Sequence, residues 1–216
     1  MDRMDDAPVK MGETYVVSIN SMGEKGDGIA RVKGFVLFVA LPISEALKTK
    51  IEPILLHLQE LGSELKVVSS HNLHFTLKFL GELEDDKINE IKNRLSSLIQ
   101  GYHRFSIRIK GLQVFPSYEQ INIISLGAES PELIQLMKKI NEELNDLRPE
   151  TRKEIPHLTR ARVKFQKNKE KLTEFLQSLV HRKFAVMPAD KIILYESRLA
   201  PSGPVYSIIE EFILSS

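Results

Sequence analysis

Two histidine–threonine pairs are the residues of this chain whose types and spacing best suit chemistry. His74 stands two residues before Thr76, and His157 stands two residues before Thr159. Alternate side chains of an extended strand share a face, so each histidine points the same way as its threonine. If the two strands lie side by side, two imidazoles and two hydroxyls meet across one cleft.

Such a cleft suits in-line attack at phosphorus. A neutral imidazole takes a proton from the attacking water, and a protonated imidazole gives one to the departing oxygen. An ordinary pKa of about 6.5 populates both forms near neutral pH. The hydroxyls of Thr76 and Thr159 would donate to the non-bridging phosphate oxygens and stabilise the charge of the transition state. We therefore expect no metal and no cofactor.

A metal site is the alternative chemistry for these histidines. His71 lies three residues before His74 and is the third imidazole near the first motif. Strand parity turns His71 away from His74, and catalytic zinc normally takes three protein ligands. The pattern therefore favours acid–base chemistry over metal binding.

Two further basic residues are candidates for holding the phosphate. Lys78 has the parity of His74 and Thr76, so it is expected to face the cleft, although a surface lysine is equally compatible with the pattern. Arg162 has the opposite parity to His157. Either the strand ends or bulges after Thr159, or this arginine acts from the rim of the cleft.

The surroundings of the two motifs repeat, which predicts two related lobes that each contribute one pair. Each motif is followed by an amphipathic helix, and the apolar positions of the two helices fall at similar offsets: Ile88, Ile91, Leu95 and Leu98 after the first, and Leu172, Phe175, Leu176 and Leu179 after the second. An apolar run over 35–41 predicts a buried strand. Ser44 and Ser130 are expected to cap helices, and the residues from Gly111 to Pro116 are interpreted as a turn.

Composition and charge restrict the class of protein. The 216 residues carry a formal charge of only +1, so any attraction to nucleic acid must come from local clusters. One cluster spans 148–183, which contains eleven Lys and Arg residues and four Glu residues, a local net charge of +7. The absence of cysteine excludes disulfides and thiol nucleophiles. Because no signal peptide or long apolar run is present, we expect a cytoplasmic protein that does not enter membranes.

The N-terminal stretch differs from the rest of the chain. From Lys10 to Val39 it resembles the opening half of a TRAM domain, a small RNA-binding β-barrel, but the later strands of that barrel do not follow. We expect residues 9–34 to form a hairpin on the main body or a mobile tail, because a two-stranded piece is marginal alone. The predicted domains are an extension over 1–34 and a catalytic domain over 35–216.

From Leu37 onward the chain resembles the RNA 2′,3′-cyclic phosphodiesterases, also called 2′-5′ RNA ligases, of the two-histidine phosphoesterase superfamily. The matching pieces occur in order over most of the chain: 37–42, 74–81, Val114-Phe115-Pro116, Pro156-His157-Leu158-Thr159 with Arg162, Leu194-Tyr195-Glu196-Ser197 and Gly203-Pro204-Val205-Tyr206. The resemblance implies a bilobal α+β fold, with two antiparallel sheets around a central cleft and helices on the outside.

The resemblance also implies a reaction. A terminal RNA 2′,3′-cyclic phosphate would be hydrolysed to a 2′-phosphate without metal, with His74 as proton donor to the leaving 3′ oxygen and His157 as the base. We expect the protein to be a monomer. Run in reverse, the same groups would join RNA ends. Two other interpretations stay open: a non-catalytic RNA-binding protein that uses the basic cleft and the hairpin, and a phosphodiesterase for a small cyclic nucleotide.

Overall fold

The computed structural model describes residues 19–22, 28–30, 36–60, 64–68, 70–83, 85–150, 155–165, 169–200 and 203–216. Its strands and helices run in the following order: β1 Ile19–Met22, β2 Gly28–Ala30, β3 Val36–Pro42, α1 Glu45–Glu60, β4 Glu64–Val67, a 3₁₀ turn Ser70–Asn72, β5 His74–Glu82, α2 Asp85–Ile99, β6 Phe105–Pro116, β7 Ile121–Glu129, α3 Pro131–Glu143, β8 His157–Phe165, α4 Lys169–Ser178, β9 Lys183–Ala189, β10 Lys191–Ala200 and β11 Gly203–Ile213. None of the helices in these ranges is long and apolar enough to span a membrane.

Two antiparallel sheets form the body of the protein, as predicted. One has four strands in the order β11-β10-β3-β5, and the other has five in the order β4-β8-β7-β6-β9. Each sheet takes strands from both halves of the chain. Strand β4 precedes the first motif but pairs with β8, and the C-terminal hairpin β10–β11 completes the sheet that holds the first motif. The two lobes are therefore tied together by exchanged strands.

The predicted local signals produce the predicted elements. Strand β3 is apolar throughout, and Leu37, Val39 and Leu41 lie in the core. The hydroxyl of Ser44 accepts a hydrogen bond from the Leu47 amide at the start of α1. Ser130 does the same for α3, accepting from the amide three residues later at 3.2 Å. Both caps are thus confirmed.

The turn predicted from Gly111 to Pro116 is wrong. Strand β6 runs through these residues without ending, and its pairing with β7 shifts between Ile109 and Leu112. Gly111 has a φ of +74°, a conformation that a side chain strongly disfavours. The glycine therefore marks a bulge inside one long strand rather than the end of a strand.

The N-terminal strands β1 and β2 pair antiparallel with each other in a separate two-stranded sheet. This agrees with a hairpin in that part of the chain. Residues 36–39 of the expected TRAM-like half belong to β3, and the residues of that half other than those in β1, β2 and β3 lie outside the described ranges. The domain boundary after residue 34 stays a prediction.

Candidate active site

The two histidine–threonine motifs lie on strands that contact each other across the sheets. Strand β5 is the edge of the four-stranded sheet, and it contacts β8 of the five-stranded sheet. Tyr206 packs edge-on against the His74 ring, with the ring centroids 5.4 Å apart. Burial raises the pKa of Tyr206, and the positive charge of Arg162, on β8, lowers it by a smaller amount. Groups from both motif strands therefore meet in one region.

Both imidazoles are held in the same way by the backbone. The Nδ1 atom of His74 lies 2.7 Å from the carbonyl oxygen of Asn72, and that of His157 lies 2.8 Å from the carbonyl oxygen of Ile155. A carbonyl can only accept, so each Nδ1 carries a proton and donates it. In the neutral form of each ring the lone pair is therefore on Nε2. In both lobes Nε2 is therefore the ring nitrogen that the backbone carbonyl does not hold.

The first motif confirms the parity prediction for its own pair. Nε2 of His74 lies 3.1 Å from Oγ1 of Thr76, so the two side chains share a face. The hydroxyl donates to Nε2 when the ring is neutral and accepts from it when the ring is protonated. Thr76 is exposed, and its proton or lone pair is also within reach of a ligand.

Aromatic side chains surround the first histidine. The His74 ring packs against Phe38 at a centroid distance of 4.9 Å and lies 6.4 Å from Tyr195. Burial lowers the pKa of His74, and the hydrogen bond to the Asn72 carbonyl raises it by a smaller amount. Burial also raises the pKa of Tyr195, so it stays a neutral phenol near pH 7. The burial of His74 therefore favours its neutral form.

A bulge brings Arg162 to the face of the second motif. Ser125 of β7 pairs with Thr159, but Ile124, the residue that precedes Ser125, pairs with Ala161. One residue of β8 is therefore left unpaired. The extra residue reverses the alternation beyond it. Ala161 is consequently buried, and Arg162 is exposed on the face of Thr159. This is the bulge that the sequence left as one of two alternatives.

A matching bulge in β5 has the opposite effect on Lys78, and the prediction that this lysine faces the cleft is wrong. Ala40 pairs with Thr76 while its neighbour Val39 pairs with Lys78, so one residue of β5 is unpaired. Only 3% of Lys78 is exposed, and its Nζ donates to the carbonyl oxygen of Arg148 at 2.6 Å. Lys78 thus ties the segment after α3 to β5 and is withdrawn as a phosphate ligand.

Phe79 takes the cleft-facing position that parity assigned to Lys78. It pairs with Phe38, whose ring contacts His74, and side chains of opposed residues lie on the same face. Its exposed fraction is 43%, and the Arg148 guanidinium lies 4.7 Å from its ring centroid. Phe79 was not found from the sequence, because the bulge that exposes it leaves no signal in the alternation of residue types. Arg148 was identified from the sequence only as a member of the basic cluster over 148–183.

The described residues contain no group of three or more histidine, aspartate or glutamate side chains arranged to hold a metal ion. His71, the proposed third imidazole, is exposed in the 3₁₀ turn before β5.

Comparison with known protein families identifies the family to which this chain belongs. The family model of LigT-like phosphoesterases matches residues 41–125 and again residues 126–206, so each match contains one histidine–threonine motif. The chain belongs to the LigT-like phosphoesterase family. The double match also agrees with the internal repeat that the sequence predicted.

Relatives of this family are similar over most of the chain. A protein of Methanothermobacter thermautotrophicus named RNA 2′,3′-cyclic phosphodiesterase is 36% identical over 180 residues, which cover 82% of this chain and 97% of the relative. One of the same name from Methanocaldococcus jannaschii is 37% identical over 177 residues, covering 82% and 99%. A solved structure from Thermus thermophilus superposes with a TM-score of 0.67 at 26% identity, covering 83% of this chain and 97% of that one. The LigT-like fold therefore extends over both lobes.

Proposed function

We propose that this protein hydrolyses RNA 2′,3′-cyclic phosphate ends to 2′-phosphates, without a metal ion. The observation that carries the proposal is the matched pair of imidazoles, each with Nδ1 fixed to a carbonyl and Nε2 left for proton transfer. The names of the two archaeal relatives, which this chain matches over nearly their whole length, support the same substrate.

The reaction follows from these two nitrogens. Neutral His157 takes a proton at Nε2 from a water molecule as the water oxygen bonds to phosphorus. The bond between phosphorus and the 3′ oxygen breaks, and protonated His74 gives the proton on its Nε2 to that oxygen. The product is a 2′-phosphate beside a 3′-hydroxyl, and the two rings return to their starting forms by exchanging protons with solvent. Each such proton transfer contributes about 10²- to 10⁴-fold in rate.

The remaining cleft-facing groups would bind the phosphate. Thr76 presents its hydroxyl beside the His74 ring, and Thr159 and Arg162 lie on the face of β8 that carries His157. A guanidinium forms paired, charge-assisted hydrogen bonds with phosphate oxygens, and donors already in place stabilise the charge that builds there during attack.

The lowered pKa of His74 is compatible with an acid role only when substrate is present. Burial by itself favours the neutral ring. A cyclic phosphodiester carries a negative charge, and a negative charge within a few ångströms favours the protonated form of an imidazole. We infer that bound substrate raises the pKa of His74 and so prepares the proton that the leaving oxygen needs.

The aromatic face of the first lobe favours RNA over a bare phosphate compound. Tyr195 stacks on the buried ring of Phe38 with the ring centroids 5.2 Å apart, and Phe79, the residue opposite Phe38, presents an exposed ring. Unpaired bases stack on such rings, and an arginine beside a ring, here Arg148, adds attraction for the backbone. A cytoplasmic monomer and the reverse, ligating reaction stay predictions from the sequence.

The decisive experiment uses an oligonucleotide that ends in a 2′,3′-cyclic phosphate, with the product identified by mass and by isomer. We expect a 2′-phosphate, turnover that persists in EDTA, and loss of turnover in His74→Ala and in His157→Ala. His103→Ala is the matched control, because this exposed histidine lies outside both motif strands and its Nδ1 is 3.0 Å from the carbonyl oxygen of Ser216. Retained RNA binding with no turnover in the wild type would favour a binding protein, and turnover only of 2′,3′-cyclic mononucleotides would favour the small-molecule alternative.

A further inference from the structure

A row of three polar side chains crosses three strands of the five-stranded sheet and ends at Thr159 of the second motif. Gln113 of β6 pairs with Ser125 of β7, and Ser125 pairs with Thr159 of β8. Residues directly opposed in antiparallel strands project to the same face, with Cβ atoms about 4.5–5.5 Å apart. The row therefore lies on the face that carries His157, and Ser125 stands in its middle.

The middle of this row is buried and unsatisfied. Ser125 is 0% exposed, and its Oγ has no hydrogen-bond partner among the described residues. The Oε1 atom of Gln113 is likewise buried without a partner there. A buried hydroxyl without a partner is destabilising, and a buried polar group of this kind in a catalytic region calls for an explanation.

The first lobe lacks the corresponding hydroxyl. There the residue opposite Thr76 is Ala40, which has no polar side-chain atom. Thr76 instead has a partner within its own motif, since its Oγ1 lies 3.1 Å from Nε2 of His74. The two threonines therefore have different neighbours: Thr76 lies beside its histidine and opposite an alanine, whereas Thr159 lies opposite a residue with a buried hydroxyl.

We propose that Ser125 is a positioning residue for Thr159 in the proposed reaction, on which this inference rests. When phosphate is bound, Ser125 donates its hydroxyl proton to Oγ1 of Thr159. Thr159 has a single proton, and with its oxygen accepting from Ser125 that proton is directed to a non-bridging phosphate oxygen. Because Ser125 is fully buried, it acts through Thr159 and does not touch the substrate. Hydrogen bonds linked in such a chain strengthen one another.

Ser125→Ala tests this role because the proposal predicts a loss of activity without a loss of stability. Removing an unpaired buried hydroxyl leaves the melting temperature unchanged or raises it. Losing a neutral hydrogen bond in the transition state lowers kcat/KM by about fivefold to tenfold. Ser130→Ala is the matched control, since it also removes a buried hydroxyl, but one that caps α3 away from the cleft. It should lower the melting temperature and leave kcat/KM unchanged.

A double-mutant cycle separates positioning from a general structural effect. If Ser125 acts through Thr159, adding Ser125→Ala to Thr159→Val produces no further loss. Full activity in Ser125→Ala, or losses that multiply in the double variant, would overturn the proposal.

Binding of inorganic phosphate, measured by calorimetry, keeps this test independent of turnover. An affinity about fivefold weaker in Ser125→Ala than in the wild type supports the role, and an unchanged affinity contradicts it. If the wild type fails to cleave the cyclic end, the proposed function is wrong, and this phosphate affinity alone decides whether Ser125 positions Thr159.

Discussion

Replacing Lys78 by methionine separates a structural lysine from a phosphate-binding one. Lys78 is 3% exposed, and its ammonium donates to the carbonyl oxygen of Arg148 at 2.6 Å, in the segment that follows α3. Methionine keeps most of the side-chain volume but cannot donate. The substitution therefore removes one contact between β5 and the α3 segment and leaves the cleft face intact.

The expected loss can be worked out from this contact. A hydrogen bond that involves a charged group contributes about 1.5–3 kcal/mol, and the Arg148 carbonyl loses that donor. Part of this stability is regained, because the variant no longer has to bury a charged ammonium, which is unfavourable. The same effect of burial lowers the pKa of Lys78. We expect a net loss of about 1–2 kcal/mol in the free energy of unfolding. For a chain of this size that lowers the melting temperature by about 2–8 °C.

Thermal unfolding followed by circular dichroism measures the stability, and initial rates on an oligonucleotide with a cyclic phosphate measure the activity. Lys78→Met should lose stability while kcat/KM changes little. The reciprocal control is Arg162→Met, which should keep the melting temperature and lower kcat/KM by about 10- to 100-fold, because a charge-assisted contact to phosphate is lost. A Lys78→Met protein with normal stability and a large, salt-dependent loss of kcat/KM would refute the assignment.

Two further predictions concern the aromatic face. Burial lowers the pKa of His74 in the free enzyme, and the proposed acid must be protonated. The decline of kcat/KM with rising pH should therefore be centred below pH 6.5, the ordinary pKa of an imidazole. Tyr206→Ala should expose the ring, raise that pKa and move the decline to higher pH; a profile that does not move would contradict the role of burial. Phe79→Ala should raise KM for an oligonucleotide by about 5- to 100-fold through lost base stacking. Ile213→Ala, which shortens another exposed apolar side chain, is its control, and equal KM values in these two variants would exclude stacking on Phe79.

The sequence determined the features that depend on neighbours along the chain. The spacing of His74 and Thr76 placed both side chains on one face, and the serine caps at Ser44 and Ser130 located the starts of two helices. The repeated motif predicted two lobes with one imidazole each. These features follow from strand alternation and from local hydrogen bonding, which act within a few residues.

Only the tertiary structure decided which residues accompany the histidines on the cleft face. A bulge exists only relative to a partner strand, so the pairing of β5 with β3 buries Lys78 and exposes Phe79, and the pairing of β8 with β7 exposes Arg162. The position of Ser125 opposite Thr159 depends in the same way on the register between β7 and β8. The exchange of β4 and of the β10–β11 hairpin between the lobes is equally non-local. Strand register is set by contacts between residues far apart in the chain, and residue spacing along one strand does not contain that information.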